Sequence, residues 1–388
     1  MLRRVRVNWM NLPAIFGPIG LCAPGPDGCL SYWAGRWRLE TRGWRITLNE
    51  RQDYALATAE ARQQRLFILT HAMEISRTDG ACFSVDQAAA LIEHLRIAFS
   101  FAFGYWNSSM LPRGYDNGDR VVWERWYTPI CDPHPRIPAA WLYRGRPQDL
   151  TELARCALDA FAEPERSSAT RLQMQVAVAA TERGFVEQRL LTAGPALENL
   201  AWTRLVQRPV SSQRTRCGWT EREYKDRRAE ERLRYLLEEA RVPTNVDPDR
   251  FPAVAAFITP GGADGPAVVT CVRNHLVHPT EPDELARHPG LVQETVAAAK
   301  PLPRDARVAR HRVPRPRSGP SRPNRLGRGR PPGSLACWHS PTPDAAGPKG
   351  DPSRTASRTN RKWPAAAATV AVMQTAAAFD VANSSLVQ

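Results

Sequence analysis

The chain reads as an α+β protein: a small N-terminal α+β region, then a C-terminal helical bundle, then a disordered tail. Three observations carry this reading. Over the first 150 residues, short runs alternate apolar or aromatic residues with polar ones. From about residue 149 the apolar spacing changes to the helical period. Near residue 300 the composition changes again. The expected segments are 1–148, 149–298 and 299–388.

In the first segment, Tyr32–Leu39 and Gly43–Leu48 alternate as half-buried strands do, and Asp119–Tyr127 is a further strand candidate. Trp33, Trp37 and Trp44 follow the same alternation. They are expected in a core rather than stacked on nucleic-acid bases. Between the strands lies one helix. Ser84 caps it, Gln87 completes a capping box, and Leu91, Ile92, Leu95, Phe99 and Phe103 form one face that stops near Gly104. The lone histidines His71 and His94 sit in apolar stretches and are expected to be structural.

Five helices are expected in the second segment. They are Asp149–Phe161, Ser168 to about Arg183, Phe185–Val206, one opening at Thr220, and one opening at Gly265-Pro266. Pro195 should kink or split the third. The fourth has Thr220 and Glu223 as a capping box and continues through Leu233, Leu236 and Ala240 towards Pro243. Val268, Val269, Val272 and Leu276 give the fifth one apolar stripe. Short connections between such helices suggest a bundle.

Residues 301–388 hold 13 of the 34 prolines and no Glu, Ile or Tyr. Such a mixture cannot bury enough apolar surface to offset the entropy of ordering its backbone. A GC-rich gene read out of frame gives the same mixture, so a frameshift product is a second reading of the tail. The formal net charge is +14, and the tail carries 15 basic side chains against 4 acidic. The remainder is nearly balanced, so overall charge is poor evidence for nucleic-acid binding by a folded region.

The eight cysteines are scattered, no two separated by two residues, and no Cys/His cluster has zinc spacing. Reduced thiols and a cytoplasmic location are expected. The start, Met1-Leu2-Arg3-Arg4-Val5-Arg6, mimics the charged end of a signal peptide, but proline and glycine break the stretch that follows. No run of about 20 apolar residues exists, so no membrane partner is expected.

The chemistry-bearing stretch is Arg273-Asn274-His275-Leu276-Val277-His278-Pro279, at the end of the fifth helix. Arginine binds phosphate with a planar, permanently charged fork. Histidine both takes and gives a proton near neutral pH. Similar spacings at Arg65/His71 and Arg304/His311 are read as decoys, because neither has this context. Residues five apart on a straight helix lie about 140° apart around its axis. Arg273 and His278 therefore converge only if the helix ends between them, which Pro279 favours.

With this run, Leu197–Trp202 in a central helix and Arg232–Leu237 ahead of it, the chain resembles the HEPN superfamily over roughly residues 165–290. More narrowly, it resembles a bacterial HEPN-like family with an RNxLVHP signature. The resemblance implies a metal-independent, cofactor-free endoribonuclease that acts as a homodimer on RNA. Arg273 would hold the scissile phosphate, and His278 would act on the 2′-hydroxyl or the leaving oxygen. Asn274 matches the polar position after the arginine, and Glu198 would orient Arg273. Such proteins continue into a long closing helix. Here a helical pattern starts at Gly290 and meets Pro301 and Pro303, which leaves open whether the chain is active. Two other readings stand beside it: a non-catalytic RNA- or nucleotide-binding and dimerisation module, and an interaction protein with a basic tail. The plainest alternative is that Arg273, His275 and His278 simply satisfy carbonyls and the dipole at a helix C-terminus.

Overall fold

The computed structural model describes residues 1–298, except 16, 18, 25–27, 129, 135–146, 182–184, 208–218, 241, 258–263, 280, 282 and 284, and only the backbone of 297–298. The expected tail, 299–388, lies outside the described residues.

The N-terminal region is built on a seven-stranded sheet. Its strands are β1 (Arg4–Met10), β2 (Ile19–Pro24), β3 (Leu30–Thr41), β4 (Trp44–Glu50), β5 (Leu69–Arg77), β6 (Ser108–Tyr115) and β7 (Val121–Glu124), in the order β2-β3-β4-β5-β1-β6-β7. Every pairing is antiparallel. The charged N-terminal stretch is thus a strand: Val5, Val7 and Trp9 point into the core, while Arg4, Arg6 and Asn8 take the other face. Between β3 and β4, Thr41 pairs with Trp44 across a two-residue turn. Arg42 and Gly43 both have positive φ, 49° and 73°, as a turn matched to the strand twist requires.

Two helices accompany the sheet, α1 (Tyr54–Gln64) and α2 (Val85–Phe103). α2 begins with the expected box: the Ser84 hydroxyl accepts the Gln87 backbone N–H at 3.1 Å, and the Gln87 side-chain Oε1 accepts the Ser84 backbone N–H at 2.9 Å. It ends on Gly104 at φ 70°. Phe99 meets Trp9 and Trp37 edge-on, with ring centroids 5.0 and 5.8 Å away. Trp33 and Trp44 are half-buried, and Trp44 packs on Phe83.

α3 (Pro147–Ala162) and α4 (Pro164–Ala179) follow. Leu150, Leu153 and Phe161 of α3 share one apolar cluster with the sheet's inner face. The Trp37 indole donates to the Thr151 hydroxyl at 2.9 Å. The expected boundary at 148/149 falls in the first turn of α3. His94 stacks on Phe161, centroids 4.4 Å apart, and burial holds its pKa below the ordinary value.

The remaining helices are α5 (Val186–Trp202), α6 (Glu221–Asp226), α7 (Ala229–Glu239), α8 (Pro252–Phe257), α9 (Gly265–Val277) and α10 (Leu291–Ala298). Pro195 does not split α5. Pro195 and Leu191 are both exposed, so the carbonyl that loses its partner there faces water. α5 runs on into a π-helical turn, Thr203–Gln207. The single helix expected from Thr220 is two. Arg227 and Arg228 take extended ψ angles of 150° and 155°. This break lays the Arg227 guanidinium over Trp219 and Tyr235, and Arg232 donates to the Arg227 carbonyl at 2.7 Å.

α9 buries Val268, Val269 and Val272 against Leu190 of α5, Val254 of α8 and Leu291, Val292 and Val296 of α10. Asp264 caps it, accepting the Ala267 N–H at 3.2 Å. Arg234 of α7 grips both oxygens of that carboxylate at 2.6 and 3.0 Å and holds its pKa below the ordinary range. Glu294 of α10 in turn accepts the Ala253 and Val254 N–H groups, 2.7 and 3.0 Å, at the start of α8. Among the described residues, no helix is long and apolar enough to cross a membrane.

Candidate functional site

The end of α9 gathers the signature. Its helical hydrogen bonding closes at His278, whose N–H donates to the Asn274 carbonyl at 2.7 Å. The chain then leaves helical geometry: His278 has φ −131° and ψ 67°, the bias that a following proline imposes. α9 stays helical through Val277, so the chain departs from the helix only at His278 itself. His278 and Asn274 are exposed, and Arg273 is half-buried.

Arg273 lies across α5. A methyl group placed on Gly194 would meet its Cγ at 3.4 Å and its Nε at 3.6 Å. Its Nη1 donates to the Asn274 side-chain oxygen at 3.1 Å, and its Nε is buried without a hydrogen-bond partner. Among the described residues no carboxylate pairs with this guanidinium. The Asn274 side chain thus touches Arg273, while its carbonyl takes the ordinary last helical bond from His278.

His275 is engaged differently. Its Nδ1 lies 2.8 Å from the Cys271 carbonyl, which assigns the proton to Nδ1. Its ring meets Phe257 edge-on, and so does His288, with centroids at 6.1 and 5.1 Å. His275 is thus engaged with the carbonyl one turn back along its own helix. Glu198 is half-buried one turn along α5 from Gly194. Its carbonyl accepts the Tyr224 hydroxyl at 3.0 Å. Burial raises the Tyr224 pKa and the Glu198 charge adds to that. No ion pair joins Glu198 to Arg273 among the described residues. Beside it, the Asn199 side-chain oxygen is buried without a hydrogen-bond partner.

The sequence reading missed Gly194 as the seat of Arg273. A glycine inside a helix is the signal that could have found it, since it usually has a packing reason. The decoy pair separates: Arg65 ends α1 in a left-handed conformation, and His71 lies inside β5. Among the described residues, no three His, Cys, Asp or Glu side chains form a metal-ligating group.

Comparison with known families matches two separate stretches of the chain. Residues 1–137 match the family model described as the YopA central domain, and residues 169–297 match the YopA C-terminal domain. Among curated proteins, the chain is similar to the SPbeta prophage-derived uncharacterized protein YopA of Bacillus subtilis (strain 168), with 24% identity over 250 residues. That alignment covers 64% of this chain and 54% of the relative, so the chain spans about half the length of the protein it matches. No solved structure matches the chain.

Proposed function

We propose that the end of α9 is the phosphodiester site of a HEPN-type, metal-independent endoribonuclease acting in the cytoplasm. The observation that carries this reading is Arg273: a guanidinium seated on Gly194 with no carboxylate partner among the described residues, bonded to Asn274, beside the point where the chain turns off at exposed His278. Arg273 binds the scissile phosphate and offsets charge building on its oxygens. His278 takes the proton of the 2′-hydroxyl as that oxygen attacks phosphorus. The 5′-oxygen leaves with a proton from the second histidine of a homodimer. The products are a 2′,3′-cyclic phosphate and a 5′-hydroxyl. Glu198 has the orienting role, acting on Arg273 from α5, the helix against which that arginine lies.

The test uses the full chain, labelled RNA and EDTA. Cleavage should proceed in the chelator, and His278→Ala should abolish it without changing the circular dichroism spectrum. Arg273→Ala should weaken both RNA binding and cleavage. Glu198→Gln should lower cleavage with less effect on binding. A need for divalent metal, or cleavage that survives both the Arg273 and His278 changes, would overturn the assignment. RNA binding that depends on Arg273 with no cleavage would make the site a binding module instead.

A further inference from the structure

A second site lies in the N-terminal region, remote in sequence from the signature. One stripe of α2, formed by Ala89, Ile92, Glu93 and Arg96 at helical spacing, faces β6 and the segment that follows β7. Between them is a pocket of about 210 Å³. The register of β6 against β1 slips between Arg6 and Asn8, where β6 carries an extra residue, and Leu111 takes a φ of 52° there. This bulge turns both Ser109 and Pro112 towards α2.

The polar groups of the wall determine what can enter. The Tyr127 hydroxyl donates to the Ser109 carbonyl at 2.7 Å. Its single proton is thereby used, so the 2.6 Å contact with the Ser109 hydroxyl is a donation by Ser109. Neither hydroxyl proton is left for a ligand. Glu93 is gripped by Arg96 Nε and Nη2 at 2.7 and 2.8 Å and again by Arg171 at 3.2 Å. One carboxylate thus serves two guanidinium groups. Arg96 lines the pocket with its guanidinium over the Trp106 ring, 5.3 Å from the centroid, and its Nη1 is buried without a hydrogen-bond partner. At the mouth, Arg125 lies over the Tyr127 ring, 5.1 Å from its centroid, with no carboxylate partner among the described residues. The leftover groups are cationic donors. The rest of the lining, chiefly Ile92, Pro112, Trp123 and Ile130, is apolar.

We propose that this pocket binds a small carboxylate with an apolar body of about ring size. Its carboxylate would lie against Arg96 and Arg125, with its body against Trp123 and Ile92. A cavity of about 150 Å³ takes benzene, so this volume suits a ring with a short acid arm. Glu93 is shared by Arg96 and Arg171, so with Arg125 the three guanidinium groups keep a surplus of positive charge that attracts an anion, and the apolar lining favours an acid with an apolar body over bare phosphate. Arginine's planar fork suits carboxylate geometry.

Isothermal titration of the full chain with phenylacetate tests this, with benzyl alcohol as the neutral isostere and inorganic phosphate as the compact anion. Phenylacetate should bind saturably, and more tightly than either comparator. Arg96→Met should weaken it on the order of tenfold or more, the loss of one charge-assisted hydrogen bond. Arg125→Gln should weaken it less. Ile130→Trp, at an exposed position, should block the pocket and remove binding even if Arg96→Met fails to fold. Absence of saturable phenylacetate binding would overturn the proposal. So would equal affinity for benzyl alcohol, or binding unchanged in Ile130→Trp.

Discussion

Replacing Glu50 with glutamine should stabilise the protein in mild alkali and do progressively less as the pH falls. Glu50 ends β4 on the inner face of the sheet, register-paired with His71 of β5. The two side chains approach to 3.8 Å, beyond hydrogen-bond length. Desolvation raises the Glu50 pKa from 4.5 to about 7, partly opposed by the Ile15 N–H that it accepts. His71 is fully enclosed, edge-on to Tyr54, and burial lowers its pKa from 6.5 to about 3. Both groups are therefore favoured in their neutral forms. The raised Glu50 value means that its contribution is fully present below the unfolded pKa of 4.5 and is lost as pH rises through about 7. One pKa unit is about 1.4 kcal/mol, which sets a ceiling of about 3 kcal/mol, and partial solvent screening brings this to about 1–3. Glutamine keeps an oxygen for the Ile15 N–H and cannot ionise. Urea unfolding of both proteins at pH 5 and pH 8 measures the difference. His71 titrates alike in both and cancels; alone, it lowers stability as pH falls from 6.5 towards 3. A Glu50→Gln advantage that is the same at both pH values, or larger at pH 5, would refute the reasoning.

Four further outcomes concern the helical region. Glu294→Ala should cost about 1–2 kcal/mol in chemical denaturation, because two N–H groups at the start of α8 lose their acceptor. Gly194→Ala should be tolerated or stabilising by about 0.5–1 kcal/mol, since its methyl meets Arg273 only at van der Waals distance. Gly194→Leu should displace that arginine and reduce RNA binding while the helix persists. Arg227→Ala should lower stability by about 0.5–1 kcal/mol, because the guanidinium leaves Trp219 and Tyr235, and the melting temperature should fall with it.

The elements legible in the sequence were those with a local signature. α2 has a capping box, one apolar face and a terminal glycine, all within 21 residues, and it forms as read. α9 is similar, with Gly265-Pro266 at its start and Pro279 beyond its end. β1 carried its alternation openly, but its arginines resembled a targeting signal; only pairing with distant β5 and β6 shows them to be one face of a sheet. The break at Arg227 has no local breaker and depends on aromatic rings from other segments. Of the α9 site, the helix end and its residues were readable, whereas the seat on Gly194 lies 79 positions away. The pocket was not readable, because Arg96, Ser109 and Tyr127 come from three separate elements and none belongs to a motif.

The place of β1 in the middle of the sheet has a consequence for synthesis. Of the sheet's strands the ribosome delivers this one first, and its partners β5 and β6 end at Arg77 and Tyr115. Until then both of its edges are open, a template for any stray strand. The meander β2–β5 can assemble beforehand, but the sheet cannot close until its earliest-made segment is inserted between two later ones. Such long-range pairing slows folding. It also makes the nascent chain vulnerable to misassembly over that interval. The alternating arginines of β1 serve here as a guard, since charge along an unpaired strand opposes its pairing with a copy of itself.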